Sequence, residues 1–158
     1  MANWITIYSQ NPFQNLNIKD IEDGVSSADW WTLAEEFDID EDDVNDFMNK
    51  LKWIDHPLKL EIEGQRPLQI HIWSDPQRVN EEIDEISENP LPGIVKLHLK
   101  NVKTIVALEM GITQQRTMFE VVAFEIAYWL SETNQGLICN HGNLWYDADK
   151  YRWQAIAD

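Results

Sequence analysis

Three observations in this sequence predict an α+β fold: a largely antiparallel sheet, made of two hairpins plus an N-terminal strand, with helices packed mainly on one face. The first is Thr117–Asn134, the longest apolar run in the chain. Its Phe119, Val122, Ala123, Ile126, Ala127 and Leu130 recur at the spacing of one helical face. Val121, Phe124 and Tyr128 fall on the far side, so the helix is apolar nearly all round and belongs in the core. The second observation is period-two alternation in short segments, which marks half-buried strands. The third is order: strands come in hairpins and not in βαβ crossovers, which points to α+β rather than α/β. Everything falls in one domain, 1–158, with an acidic helical part (1–56) and two hairpin–helix units (57–90 and 93–158).

In chain order, Asn3–Tyr8 alternates Ile5 and Ile7 against Trp4, Thr6 and Tyr8, as a strand does. Ser9–Gly24 is rich in Asn, Gln and Asp and reads as loop with a short turn of helix. Ser26 or Ser27 is expected to cap a helix with the stripe Trp30, Leu33, Ala34 and Phe37. Asp40 caps the next, where Val44, Phe47, Met48 and Leu51 repeat the spacing, and Asp42 and Asp43 suit a positive helix start. Leu58–Gly64 and Leu68–Trp73 alternate about the linker Gly64–Pro67 and form the first hairpin. Asp75-Pro76 opens a helix whose Val79, Ile83 and Ile86 face inward. Val95, Leu97 and Leu99 alternate with Lys96, His98 and Lys100, so the second hairpin is expected to pair this segment with Ile105–Met110. Thr117 with Glu120 forms a capping box for the core helix, and Gly136 stops it. Leu137–Asn140 and Leu144–Tyr146 are extended around the turn His141-Gly142-Asn143, and Asp147 caps a final short helix carrying Tyr151 and Ile156.

Charge narrows the classes of partner. The chain has 12 basic and 28 acidic residues, a net charge of −16. Residues 1–93 hold 21 acids and 6 bases, residues 94–158 only 7 acids and 6 bases. Such a field repels nucleic acid and anionic membranes and would steer a basic partner inward; the other reading of the same charge is solubility alone. The N-terminus has no basic segment followed by an apolar one, and no stretch is long and apolar enough to span a bilayer, so a cytoplasmic location is expected. The single cysteine, Cys139, excludes an intramolecular disulfide. Eight tryptophans supply core, and one or two of them an interface.

No complete catalytic constellation appears. The acidic run Asp38–Asp46 places Asp38, Asp40 and Asp42 at positions 1, 3 and 5 of a calcium loop. Asp43 then stands where the bend needs glycine, and Asn49 where a bidentate glutamate is needed, so a solvated helix start or docking patch is the better reading. Cys139 lies near His141 and Asp147, but in an apolar strand without a nucleophile's setting, and reads as a buried thiol. His71 and His98, were their strands neighbours, would offer a metal only two ligands. Glu125 falls between Met118, Val121 and Trp129 on the helical wheel, a flank that reads as exposed; were it buried, its pKa would rise unless it paired, for instance with Arg116 or Lys103. No cofactor or metal site is expected.

The block Phe124–Asp147 has Ala127 at mid-helix, then Gly136-Leu-Ile-Cys-Asn140, then Trp145-Tyr-Asp147. It resembles a pattern in small bacterial α+β proteins, some uncharacterised and some immunity-protein-like. That resemblance implies a way of packing and transfers no functional residue. By the same analogy, an acidic, tryptophan-rich chain resembles an immunity-type inhibitor of a basic nuclease.

The leading expectation is therefore a non-enzymatic interaction protein that docks a basic partner through Trp30, Trp31, Asp38, Asp40, Asp42, Asp43 and Asp46. The alternative, from a different class, is a small-molecule-binding domain or weak enzyme. Its tryptophan-lined cleft would lie between sheet and core helix, with Glu125, His98, Trp129 or Cys139 in reach. A DNA mimic, with acids spaced like phosphates, ranks third.

Overall fold

A computed structural model describes residues 2–13, 15–140, 144–149 and 152–156. Among these, eight strands make one sheet in which every neighbouring pair is antiparallel. In chain order they are β1 (Ala2–Ser9), β2 (Lys52–Ile54), β3 (Lys59–Glu61), β4 (Leu68–Trp73), β5 (Thr104–Gly111), β6 (Gly136–Asn140), β7 (Leu144–Asp149) and β8 (Arg152–Ala155). Across the sheet the order is β2-β3-β4-β5-β1-β6-β7-β8. Six helices accompany them: α1 (Ile18–Gly24), α2 (Trp30–Glu35), α3 (Glu41–Lys50), α4 (Pro76–Ile86), α5 (Gly93–Leu99) and α6 (Met118–Asn134). The class is α+β.

Alternation sorts the central strands into two faces. Ile5 and Ile7, Leu68 and Ile70, Val106, Leu108 and Met110, and Ile138 form one face, and α6 lies on it with α1, α2 and α3 around it. Phe119, Val122, Ile126, Ala127 and Leu130 of α6 are almost fully buried, as the 3.6-residue periodicity requires. Gly136 starts β6 where the helix returns to the sheet. A Cβ there would come within 2.9 Å of Ile7 Cγ2 and 3.1 Å of the Ser131 backbone, so this close approach requires glycine. The second face has its own smaller core of Tyr8, Ile105, Leu137, Cys139 and Trp145, covered at one end by Val79 of α4 and by Val95 and Leu99 of α5.

Two expected elements are different in the structure. Residues 94–100 are not a strand: Gly93–Leu99 is helix α5, with Val95 and Leu99 buried and Ile94 and Leu97 exposed at 63% and 64%. The positions i and i+4 satisfy a helical face as well as they satisfy alternation. The decisive fact is that both edges of β5 are taken, one by β1 and one by β4, so no hairpin partner could pair there. The segment after Asp147 is not a helix either. β7 pairs with β6 along Leu137–Asn140, and β8 then pairs with β7 from Tyr146 to Asp149. An open edge on β6 offers unpaired backbone groups, and an aromatic-rich segment fits a pleated surface better than a helix. The turn at 141–143 and Tyr151 lie outside the described residues.

Smaller departures concern helix ends. Asp29, not Ser26 or Ser27, caps α2, its carboxylate accepting the Thr32 N–H at 3.2 Å. Asp40 precedes α3 but makes no side-chain cap bond. Thr117 accepts the Phe119 N–H, and Glu120 accepts the Arg116 N–H, at 3.3 Å each, so the expected reciprocal box is offset by one residue. The left-handed residue after α6 is Gln135 (φ 52°).

Candidate functional site

Two depressions with different chemistry lie on opposite faces of the sheet. The first, about 1010 Å³, runs beside α3 and is lined in part by Asp43, Asp46, Phe47, Lys50, Arg116 and Phe119. It adjoins the acidic surface expected from the sequence. Asp38, in left-handed backbone (φ 58°), turns the chain between α2 and α3; aspartate tolerates that conformation better than most residues. Residues 29–50 carry nine acids and one base. All nine acids are exposed, Asp38, Asp40, Asp42, Asp43 and Asp46 among them. Among the described residues only Asp46 of this run is in an ion pair, with Lys50 at 3.0 Å. Trp31 stands 46% exposed on α2. Its neighbour Trp30 is half-buried against the core and is scaffold more than contact. The guanidinium of Arg116 lies 4.9 Å over the Phe37 ring and donates to the Glu36 carbonyl at 3.2 Å, which ties this surface to the start of α6.

The second depression, about 550 Å³, is a cleft over the other face, walled by α4. Its floor follows from strand register. Thr6 of β1, Ala107 of β5 and His71 of β4 lie side by side in one row. Ala107 is the small member of that row and leaves a hollow. Trp4 stands in the row on one side, while Tyr8, Ile105 and Trp73 occupy the row on the other. Cys139 closes the floor from β6. The His71 ring is 5.6 Å from Trp4 and stacks on Trp73 at 6.1 Å. His71 Nε2 donates to Glu109 Oε1 at 3.0 Å, and the other carboxylate oxygen takes Arg66 at 3.3 Å. From α4, Arg78 stacks 4.8 Å over Trp73 and pairs with Glu82 at 2.8 Å. Burial, with Cys139, Glu82 and Glu85 nearby, pushes the Tyr8 phenol well above its usual range, so it stays protonated.

The sequence led to the expectation of a tryptophan-lined cleft between the sheet and the core helix; the tryptophan-lined depression described above is a different one. It lies between the sheet and α4, on the face away from α6. Glu125 is buried on α6 at 6% exposure, Trp129 is half-buried beside it, and neither lines either depression. His98 sits on α5, where its Nε2–H donates to the Tyr8 carbonyl at 2.7 Å and burial lowers its pKa. The sheet separates His98 from Glu125, so these candidates form no common site. Cys139 is 2% exposed, the buried thiol expected. The acids of the N-terminal half also divide: those of α1–α3 lie on one face, those of α4 on the other. Sequence reading had not assembled Trp4, Trp73, Arg78, Glu82 and Glu85 into one site. The alternation that puts Trp4 with Tyr8, and His71 with Trp73, was visible. The pairing of β1 and β4 through β5 was not.

The chain matches no protein-family model, no curated protein and no solved structure. Among the described residues no helix is long and apolar enough to cross a membrane, and no three His, Cys, Asp or Glu side chains cluster to hold a metal.

Proposed function

We propose that this chain is a non-enzymatic binding protein whose α2–α3 surface docks a basic protein partner, as an immunity-type inhibitor does. The observation that carries the reading is the run of nine exposed acids on residues 29–50, of which only Asp46 is neutralised by an ion pair among the described residues. Exposed carboxylates of one sign accelerate encounter with a cationic surface and lose that effect as salt screens them. Trp31 supplies the apolar anchor such an interface needs at its centre, and the groove beside α3 supplies relief for a protruding side chain.

The test is association kinetics with a panel of immobilised basic proteins, from about 20 to 200 mM salt. A variant with Asp40, Asp42 and Asp43 changed to Asn is compared with a charge-matched control that neutralises Glu81 and Asp84 on α4 and Glu88 just beyond its end. The reading expects slower association and a shallower salt dependence in the first variant alone. Equal losses in both would mean that net charge acts without a docking surface.

A second reading, a small-molecule-binding domain, is supported by the aromatic cleft over α4.

A further inference from the structure

We propose that the cleft between β1, β5, β4 and α4 binds a small organic cation, an arylalkyl- or alkylammonium. Its apolar body would lie against Trp4 and Trp73, and its charged head would meet Glu85 and the Tyr8 oxygen. This rests on the second reading above and adds the chemistry of the ligand.

Shape comes first. A hollow of about 550 Å³ is within the range of small-ligand sites. The neighbours Thr6 and Ala107 give it a floor without bulk, and the tryptophans on either side give it walls. Trp4 is 38% exposed, so part of its ring face is available to a ligand.

Charge then selects among ligands. The ionised side chains lining the cleft are Arg78, Glu82 and Glu85, a net charge of −1 in a chain of −16. Arg78 is already committed, to Glu82 at 2.8 Å and to the face of Trp73 at 4.8 Å. Glu85 is in no ion pair among the described residues and borders the cleft. On this face of β4 and β5, His71 and Arg66 both bond to the Glu109 carboxylate, so each is already committed and neither is offered to an anionic ligand. A protonated Tyr8 phenol retains oxygen lone pairs that accept an ammonium N–H. Arg78 over Trp73 shows that these walls already hold a cation against an indole face, and the Trp4 side offers the same surface to a ligand.

The experiment uses the full chain and three probes of one shape: tryptamine, its neutral alcohol analogue tryptophol, and anionic indole-3-acetate. Affinity comes from calorimetry, and location from amide and indole N–H shifts in NMR. Tryptamine is expected to bind at least about tenfold more tightly than tryptophol, with shifts at Thr6, Ala107 and Trp73. Glu85→Gln should weaken tryptamine about three- to tenfold and leave tryptophol unchanged, since an exposed carboxylate is partly screened. Trp4→Ala should weaken both. Neither position is deeply buried, so both variants should keep the parent circular dichroism. If tryptophol or indole-3-acetate binds the cleft as tightly as tryptamine, the cation inference is wrong while the cleft reading stands. If no probe shifts the cleft residues up to about 5 mM, or tryptamine shifts α3 instead, both fall.

Discussion

Replacing Gly24 with alanine measures how tightly α1 is seated on α6. A Cβ at Gly24 would lie 2.2 Å from Trp129 Cε2 and 2.5 Å from Cδ2 and Cζ2. Carbon atoms rest about 3.5–4.0 Å apart, so the indole must retreat by more than about 1 Å. Trp129 is packed against the core of α6 and α1, and it cannot retreat without opening contacts elsewhere. Forcing an extra methyl into such a contact costs about 1–3 kcal/mol. Against this, alanine is favoured over glycine in a helix by at most about 1 kcal/mol, and by less at the last residue of α1. The clash wins, and Gly24→Ala should lose about 1–2 kcal/mol, or roughly 2–8 °C in Tm for a chain of this size. In a Trp129→Ala background the obstacle is gone, and the same change should be neutral or stabilising by up to about 1 kcal/mol. Urea titrations of the four proteins of this cycle, followed by far-ultraviolet circular dichroism, give the coupling. An equal effect of Gly24→Ala in both backgrounds would refute the packing argument.

Other consequences can be tested in the same way. Leu97→Gln should change stability by no more than about 0.5 kcal/mol, while Leu99→Gln should be strongly destabilising, because the helix exposes Leu97 and buries Leu99; comparable losses would restore the strand reading of 94–100. Phe119→Ala removes a ring that is 1% exposed and set edge-on to Phe47 at 5.0 Å, and should lower stability by about 3–5 kcal/mol in denaturant titration. Burial depresses the His98 pKa, so the unfolded chain binds this proton more readily. Its contribution to stability is complete above the ordinary histidine pKa of 6.5 and is lost as pH falls through the lower folded value. A His98→Gln variant should show a flatter loss of Tm with pH in that window. Finally, Tm should rise with salt as the −16 charge is screened, and the Asp40, Asp42 and Asp43 to Asn variant should show a smaller rise.

Much of the fold was legible in local pattern. The N-terminal strand, the 58–73 hairpin, the Asp75-Pro76 helix start and the buried α6 were all visible, because each depends on residues within about four positions of one another. The acidic run at 38–46 was legible as exposed surface for the same reason: its apolar stripe, from Val44 to Leu51, left the aspartates nowhere else to face. The caps were less so, since Asp29 outcompetes Ser26 and Ser27 through a geometry the sequence does not display.

By itself, then, the sequence determined the α+β class, the central helix, the lopsided charge and the two faces of β1, β3 and β4. Tertiary structure alone decided which strands are neighbours. That choice made 94–100 a helix, because β1 and β4 had already claimed both edges of β5. It made the C-terminal segment a hairpin, because β6 still had a free edge. It also set Trp4, His71 and Trp73 around one small alanine and placed Glu125 on the far face. Backbone hydrogen bonds must all be satisfied, and which edge remains open to satisfy them is a property of the whole sheet, not of any segment in it.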